Sequence, residues 1–169
     1  MDTIHPRMTI PRYAAWLLLA AVIVVLDLWT KYLASASLEL YRPVALTSWL
    51  NLTLAHNTGA AFSFLADGQG WQRWFFVIAA TLISLVLLGW LWRLPLNARA
   101  LPVALALLLG GAIGNLVDRI RLGYVVDFID VHYAGWHWPA FNIADSAIVI
   151  GVILMLIESL LPPRGSVQR

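Results

Sequence analysis

Four long apolar stretches, separated by more polar segments, dominate the pattern along this chain. They run roughly from Tyr13 to Leu33, from Trp74 to Trp92, from Leu101 to Val117, and from Phe141 to Leu161. A helix of about 20 mostly apolar residues is long enough to cross a bilayer. The pattern therefore predicts an integral membrane protein that is mainly α, with a bundle of four transmembrane helices.

The overall composition agrees with a membrane protein. Of the 169 residues, 61% are hydrophobic and 12% are charged, and the mean hydropathy is +0.79. A soluble domain carries about 25% charged residues. The absence of cysteine excludes disulfides and thiolate nucleophiles. The formal charge of +2 is too small to favour nucleic-acid binding. We expect a single membrane-embedded domain, residues 1–169.

The basic residues favour one orientation weakly. Six of the 11 lie at the two termini or in the short link between the second and third stretches. The positive-inside rule then places both termini in the cytoplasm and puts two loops outside, residues 34–73 and 118–140. We expect the first stretch to remain uncleaved, since its apolar run is long and Asp27 and Lys31 interrupt its end.

The outer loops carry the alternation that is typical of strands. Leu50–Asn57 alternates apolar and polar residues, and Val44 to Thr47 could supply a partner strand. Gly123 to Val131 is rich in β-branched and aromatic residues, and Asp67 to Gly70 is a turn signal. These segments predict a small sheet on the outer membrane surface.

Two aspartates, Asp127 and Asp145, flank the polar and aromatic segment between the last two apolar stretches. A carboxylate at bilayer depth is costly, which favours a functional role. Two carboxylates within reach of each other cannot easily both ionise, so one keeps a proton. The ionised member can deprotonate water while the protonated member polarises a carbonyl. Asp130 competes with Asp127, because the two point to opposite faces of an extended strand, and spacing alone does not decide between them.

A polar rim is expected where the third and fourth stretches meet. The spacing of Gly110 and Gly114 lets another helix approach closely, and residues three or four apart share a helix face. The residues expected at this rim are Asn115, Asp118, Arg119, Asn142 and Asp145. For Asp118 and Arg119, a simple ion pair at the membrane interface is the alternative.

Two other catalytic chemistries fit the residues less well. A Ser–Lys dyad needs a neutral lysine, but Asp27 lies four residues before Lys31, the only lysine, at the spacing of a helical ion pair. The four histidines include no His-Glu-x-x-His pattern, and His132 and His137 lie among aromatic residues. We therefore predict neither a metal nor a cofactor.

Two non-peptidase functions stay open at this point. A proton-coupled transporter would also use intramembrane carboxylates, but it would favour charges near mid-bilayer, whereas the acids here gather at one rim. A membrane scaffold would use the same motifs only for packing.

Five motifs in order resemble those of lipoprotein signal peptidase, the bacterial signal peptidase II family. The matching segments are Asp27–Lys31 (Asp-Leu-Trp-Thr-Lys), Asn57–Phe62 (Asn-Thr-Gly-Ala-Ala-Phe), Gly111–Arg119, Val126–Phe128 and Phe141–Ser146. The resemblance covers nearly the whole chain. It implies an aspartyl endopeptidase that removes signal peptides from diacylglyceryl-modified prolipoproteins by cleaving before the lipidated cysteine.

The same resemblance assigns roles to residues. It selects Asp127 over Asp130 as the catalytic partner of Asp145. The residues implied in substrate binding are Asn57, Gly59, Asn115, Arg119 and Asn142. The residues expected to support the site are Asp27, Lys31 and Asp118, of which Asp118 is a candidate to orient Arg119.

It also implies a cellular setting. The fold is expected to be a four-helix bundle with a small periplasmic β-rich cradle, in the bacterial cell inner membrane, with the active site toward the periplasm. The expected partners are lipid-modified prolipoproteins, membrane lipid and the inhibitor globomycin, with no nucleic acid. We expect a monomer.

Overall fold

Four long helices run through the computed structural model, which describes residues 8–59, 70–98 and 100–161. They are α1 (Ile10–Ser37), α2 (Trp71–Arg93), α3 (Ala100–Arg121) and α4 (Ile143–Leu160). All four are long and apolar enough to cross a membrane. The predicted class, a mainly helical four-span membrane protein, is confirmed. The first three helices extend past their apolar stretches, whereas α4 begins two residues later than predicted.

Helix α3 lies at the centre of the bundle and packs against each of the other three helices. Small residues make this possible. A methyl group added at Gly110 would lie 2.8 Å from the carbonyl oxygen of Ala20 in α1. One added at Gly111 would meet the carbonyl oxygen of Ala144 in α4. Overpacking of this kind costs about 1–3 kcal/mol, so the glycines allow backbones of three helices to meet at α3.

A four-stranded antiparallel sheet covers one end of the bundle. Its strands are β1 (Val44–Ala45), β2 (Leu50–Asn57), β3 (Val125–Tyr133) and β4 (Trp136–His137), in that spatial order. The bounds of β2 match the predicted alternation. β1 is shorter than predicted, β3 is shifted by two residues, and β4 was not predicted. The predicted turn at 67–70 falls, except for Gly70, outside the described residues.

Contacts between the sheet and the helices fix this end of the molecule, which we call the sheet end. Ala34 of α1 packs with Leu54, Val126 and Phe128 of the sheet in one buried cluster. Phe141 exchanges two backbone hydrogen bonds with Ile129, at 3.0 and 2.9 Å. This exchange brings the first turn of α4 beside β3, so the last helix starts next to the strand that carries Asp127 and Asp130.

Candidate active site

Asn142 is the N-cap of α4 and connects the two aspartates selected by the sequence. Its side-chain oxygen accepts a hydrogen bond from the backbone N–H of Asp145 at 2.9 Å, and the Asp145 carboxylate accepts from the backbone N–H of Asn142 at 3.3 Å. This is a capping box, which satisfies two otherwise unpaired donors of the helix. Since the oxygen is used for the cap, the amide NH₂ points away from it and donates to Asp127 Oδ1 at 2.7 Å.

Asp127 lies in β3 with only 2% of its surface exposed. Its second oxygen accepts a hydrogen bond from the side chain of Asn57 at 3.0 Å. Asn57 is fixed in turn because its side-chain oxygen accepts from the backbone N–H of Gly59 at 2.9 Å. Gly59 has φ +93°, a conformation that favours glycine. The turn after β2 therefore orients one of the two amides that hold Asp127.

The environment of Asp127 favours its protonated form. Burial, and then the negative charge of Asp145, raise the pKa of Asp127 to about 6, against the lowering effect of the hydrogen bonds from Asn57 and Asn142. A raised pKa on one of two neighbouring carboxyls is the condition for a pair that shares a proton.

A buried lysine lies directly behind the pair. Lys31 is 3% exposed, and its ammonium group contacts Asp27 Oδ2 at 2.7 Å, Asp118 Oδ2 at 3.0 Å and Asn115 Oδ1 at 2.9 Å. The contact with Asn115 is a hydrogen bond, and those with the two carboxylates are ion pairs. Asn115 passes the interaction on, because its NH₂ donates to Asp145 Oδ1 at 2.7 Å.

The two supporting acids connect four elements, α1 to α4 and α3 to β3. Asp27 accepts a hydrogen bond from the backbone N–H of Ala144 at 2.9 Å, and Asp118 accepts from that of Val126 at 3.1 Å. The alternative of a direct ion pair between Asp118 and Arg119 is wrong, because the Asp118 carboxylate is directed to Lys31 and β3, although Asp118 lies within electrostatic range of Arg119. The sequence could not reveal this, since it depends on how closely α1 and α3 approach.

Asp130 belongs to a different cluster on the other face of β3. Its carboxylate accepts from Asn51 at 3.2 Å and from Thr53 at 3.0 Å, and lies 2.8 Å from His137 Nδ1. Burial works to raise the pKa of Asp130, but these hydrogen bonds outweigh it and hold the pKa below its ordinary value. The ring of His132 stacks on that of His137 with centroids 5.0 Å apart. Sequence reasoning missed this cluster, although Asn51 and Thr53 share one face of a strand.

The structure thus brings the sequence-selected residues together at the sheet end, except for Arg119, whose contacts differ from expectation. Within the described residues, no group of three His, Cys, Asp or Glu side chains could hold a metal ion. Arg119 lies within electrostatic range of Asp145, Asp127 and Asp118, but its guanidinium stacks on the ring of Phe76 at 4.9 Å.

A cavity of about 450 Å³ extends from the polar cluster between α2, α3 and α4. Asn115 and Arg119 form its polar part, and the rest of the lining is apolar. The lining residues are Phe76, Ala79, Ala80, Ile83, Leu87, Leu108, Ala112, Asn115, Arg119 and Ile148. Arg73 closes the α2–α3 contact above it by donating to the backbone carbonyls of Arg119 and Ile120, at 2.8 and 2.6 Å. Neither aspartate lines this cavity, and Asn115, whose amide donates to Asp145, connects the cavity to the pair.

Comparisons of the sequence and of the structure with known proteins point to the same kind of protein. The family model described as signal peptidase (SPase) II matches residues 19–161. A lipoprotein signal peptidase of Acinetobacter baumannii is 56% identical over 149 residues, which are 88% of this chain and 85% of the relative. The lipoprotein signal peptidase of Acinetobacter baylyi is 51% identical over 159 residues, 94% of this chain and 89% of that protein.

A solved structure is also similar. A bacterial membrane enzyme, determined by the in meso method at 1.9 Å resolution, aligns with a TM-score of 0.77 and 34% identity, covering 93% of this chain and 97% of that one. The signal peptidase II family consists of proteases, so the protein is an enzyme and the transporter and scaffold hypotheses are set aside. The four apolar helices agree with a multi-pass bacterial membrane protein. The chain therefore belongs to the signal peptidase II family.

Proposed function

We propose that this protein is an aspartyl endopeptidase that removes signal peptides from diacylglyceryl-modified prolipoproteins, with Asp127 and Asp145 as the catalytic pair. The observation that carries the proposal is the single side chain of Asn142, which binds Asp127 at 2.7 Å and the backbone N–H of Asp145 at 2.9 Å. The names of the curated relatives support the substrate class.

In the proposed reaction, one carboxyl of the pair is ionised and the other is protonated. The ionised carboxylate takes a proton from water as its oxygen attacks the carbonyl carbon of the scissile peptide. The protonated carboxyl hydrogen-bonds the carbonyl oxygen and stabilises the negative charge that develops there. The C–N bond then breaks as the leaving nitrogen receives a proton, and the pair returns to one shared proton.

The surroundings of the pair suit a substrate that stays in the membrane. The apolar cavity beside it would hold an apolar part of the substrate, and Asn115 and Arg119 would bind its polar groups. Asn57, Gly59 and Asn142 would line the peptide side, where the turn at Gly59 lets a backbone approach. Cleavage would occur before the lipidated cysteine.

We place this site in the bacterial inner membrane with the sheet end toward the periplasm and both termini in the cytoplasm. The acids that gather at the sheet end and the basic residues of the short link at the opposite end support this orientation. The protein would act as a single domain and as a monomer, with globomycin as an inhibitor at the same site.

Cleavage of a purified prolipoprotein tests the proposal. The substrate carries a diacylglyceryl-modified cysteine, and the variants are Asp127→Asn, Asp145→Asn and Asp130→Asn. Removal of an acid–base group costs on the order of 10²–10⁴-fold in rate, so we expect the first two variants to lose activity by at least that factor. Asp130→Asn is the matched control on the same strand and should keep most of the activity of the folded protein.

Two further arms define the substrate and the site. The unmodified prolipoprotein should be cleaved far more slowly than the lipidated one, and globomycin should block the wild type. Near-normal turnover by Asp127→Asn or by Asp145→Asn would contradict the assignment of these two aspartates as the catalytic pair. Equal cleavage of lipidated and unmodified substrates would contradict the proposed specificity.

A further inference from the structure

Phe76 of α2 is partly buried beside the site, although no catalytic pattern includes it. The guanidinium carbon of Arg119 lies 4.9 Å from the centroid of the Phe76 ring. The edge of the same ring meets the backbone of Gly59, so that a methyl group added at Gly59 would overlap it. Phe76 also lines the 450 Å³ cavity together with Arg119 and Asn115. One ring thus contacts the cavity, the cation and the turn that holds Asn57.

Besides stacking on this ring, the Arg119 side chain makes one long hydrogen bond in the described part of the chain, of 3.4 Å from Nη1 to the carbonyl oxygen of Asn115. Among the described residues, no ion pair within 4.0 Å joins Arg119 to a carboxylate, although it lies within electrostatic range of Asp145 and Asp127. A cation over an aromatic face is attracted to it by the ring quadrupole. The ring therefore opposes the pull of the two acids on a long, flexible side chain.

We propose that Phe76 is a positioning residue that holds the Arg119 guanidinium at the mouth of the cavity, away from Asp127 and Asp145, and so keeps its donors directed to the substrate. This role rests on the proposed endopeptidase function. Without the ring, Arg119 turns toward the nearest carboxylate, and its fork of N–H donors no longer faces the groups it would bind.

Steady-state cleavage of the lipidated prolipoprotein separates this role from simple packing. Phe76→Leu keeps an apolar side chain in the cavity wall but removes the aromatic face. We expect KM to rise about 2- to 30-fold, the range that a cation–π contact implies, with kcat within about two-fold, because uniform binding is lost. Phe76→Tyr keeps the face and should restore KM to near the wild-type value.

The matched control is Phe75→Leu, the same replacement at the preceding residue, which is 53% exposed and whose ring lies edge-on to that of Phe76 with centroids 5.4 Å apart. It removes packing against Phe76 but keeps the aromatic face under Arg119, so it should leave KM unchanged. Thermal unfolding of all variants, followed by tryptophan fluorescence, identifies any variant that has lost its fold. A KM increase in Phe76→Leu without Tyr rescue, or an equal increase in Phe75→Leu, would indicate packing alone and overturn the proposal.

A double-mutant comparison tests whether Phe76 acts through Arg119. In an Arg119→Met background, Phe76→Leu should change KM by less than about two-fold, because the partner of the ring is already absent. The same KM increase in both backgrounds would overturn the positioning role while the proposed function stands. If the wild type itself cleaves no lipidated substrate in this assay, the proposed function fails and this role fails with it.

Discussion

Replacement of Asp127 by Asn should change how stability depends on pH, and the direction follows from its surroundings. Burial and the charge of Asp145 raise the pKa of Asp127 from 3.8 to about 6 in the folded protein. The folded state therefore holds this proton to a higher pH than the unfolded state does. The stability that the proton contributes is fully present below about pH 4 and is lost as the pH rises through 6.

The size of this effect can be worked from the two pKa values. Their difference corresponds to about 3 kcal/mol over the whole range. About 1.4 kcal/mol of it falls between pH 5 and 7.5. Asn cannot titrate, so the free energy of unfolding of the wild type, relative to Asp127→Asn, should fall by about 1.4 kcal/mol across that interval. The altered hydrogen bonds to Asn57 and Asn142 shift the variant by a constant that cancels in the comparison. For a chain of this length the change is about 3–5 °C in unfolding midpoint.

Thermal unfolding in detergent, followed by the fluorescence of the nine tryptophans, measures this difference at pH 5 and 7.5. Asp130→Asn is the matched control, because the pKa of Asp130 is shifted in the opposite direction from that of Asp127. Because hydrogen bonds lower the pKa of Asp130, its ionised form stabilises the fold and its loss should lower the midpoint at both pH values. In an Asp145→Asn background the Asp127 effect should shrink, because the repelling charge is gone. A wild-type minus Asp127→Asn difference that stays constant, or that grows with pH, would refute the reasoning.

Three further predictions concern the surroundings of the pair. Lys31→Met leaves Asp27 and Asp118 buried without their cation, and should destabilise the protein by about 3–5 kcal/mol, seen as a large fall in the unfolding midpoint; an unchanged midpoint would show that the lysine is not needed. Gly114→Ala places a methyl group 2.5 Å from Asp27 Oδ2 and should cost about 1–3 kcal/mol, measured in the same way; an unchanged midpoint would contradict the close packing of α1 on α3. Asn142→Ser keeps a helix cap but removes the NH₂ that holds the aspartate of β3, so cleavage should fall much more than the midpoint does; equal losses would contradict this.

The helices could be predicted from the sequence because a bilayer imposes a simple length requirement on apolar segments. Their ends could not, since these depend on local contacts. Phe141 looked like the start of the last span because it is apolar, but it pairs with Ile129 as part of the sheet. Asn142 then caps the helix, so α4 starts at Ile143.

The candidate site could be predicted in part from helical spacing. Asp27 and Lys31 are four residues apart, and they form the expected ion pair. The partner of Asp118 depends instead on the distance between two helices, which no spacing within one segment encodes. The contacts of Asp130 depend on cross-strand register, in which Asn51 lies opposite Asp130. The stacking of Phe76 on Arg119 depends on the packing of α2 against α3.

The charges around the pair explain why a proton, and not a cation, should balance it. Four carboxylates and two cations lie in this cluster, and of these only Asp145 and Arg119 are partly exposed: Asp27, Asp118, Asp127, Asp145, Lys31 and Arg119. Lys31 forms ion pairs with Asp27 and Asp118, and it acts on the catalytic pair through the amide of Asn115 and through a weaker electrostatic effect on Asp127. Arg119 is the remaining cation, and a direct ion pair with either aspartate would favour full ionisation of both. In the free enzyme the pair would then lose its acidic proton until a bound substrate drew Arg119 away, which would raise KM and leave kcat nearly unchanged. Under that mechanism, the pair must keep its proton until the substrate binds. The stacking of Arg119 on Phe76 and the raised pKa of Asp127 both serve this requirement.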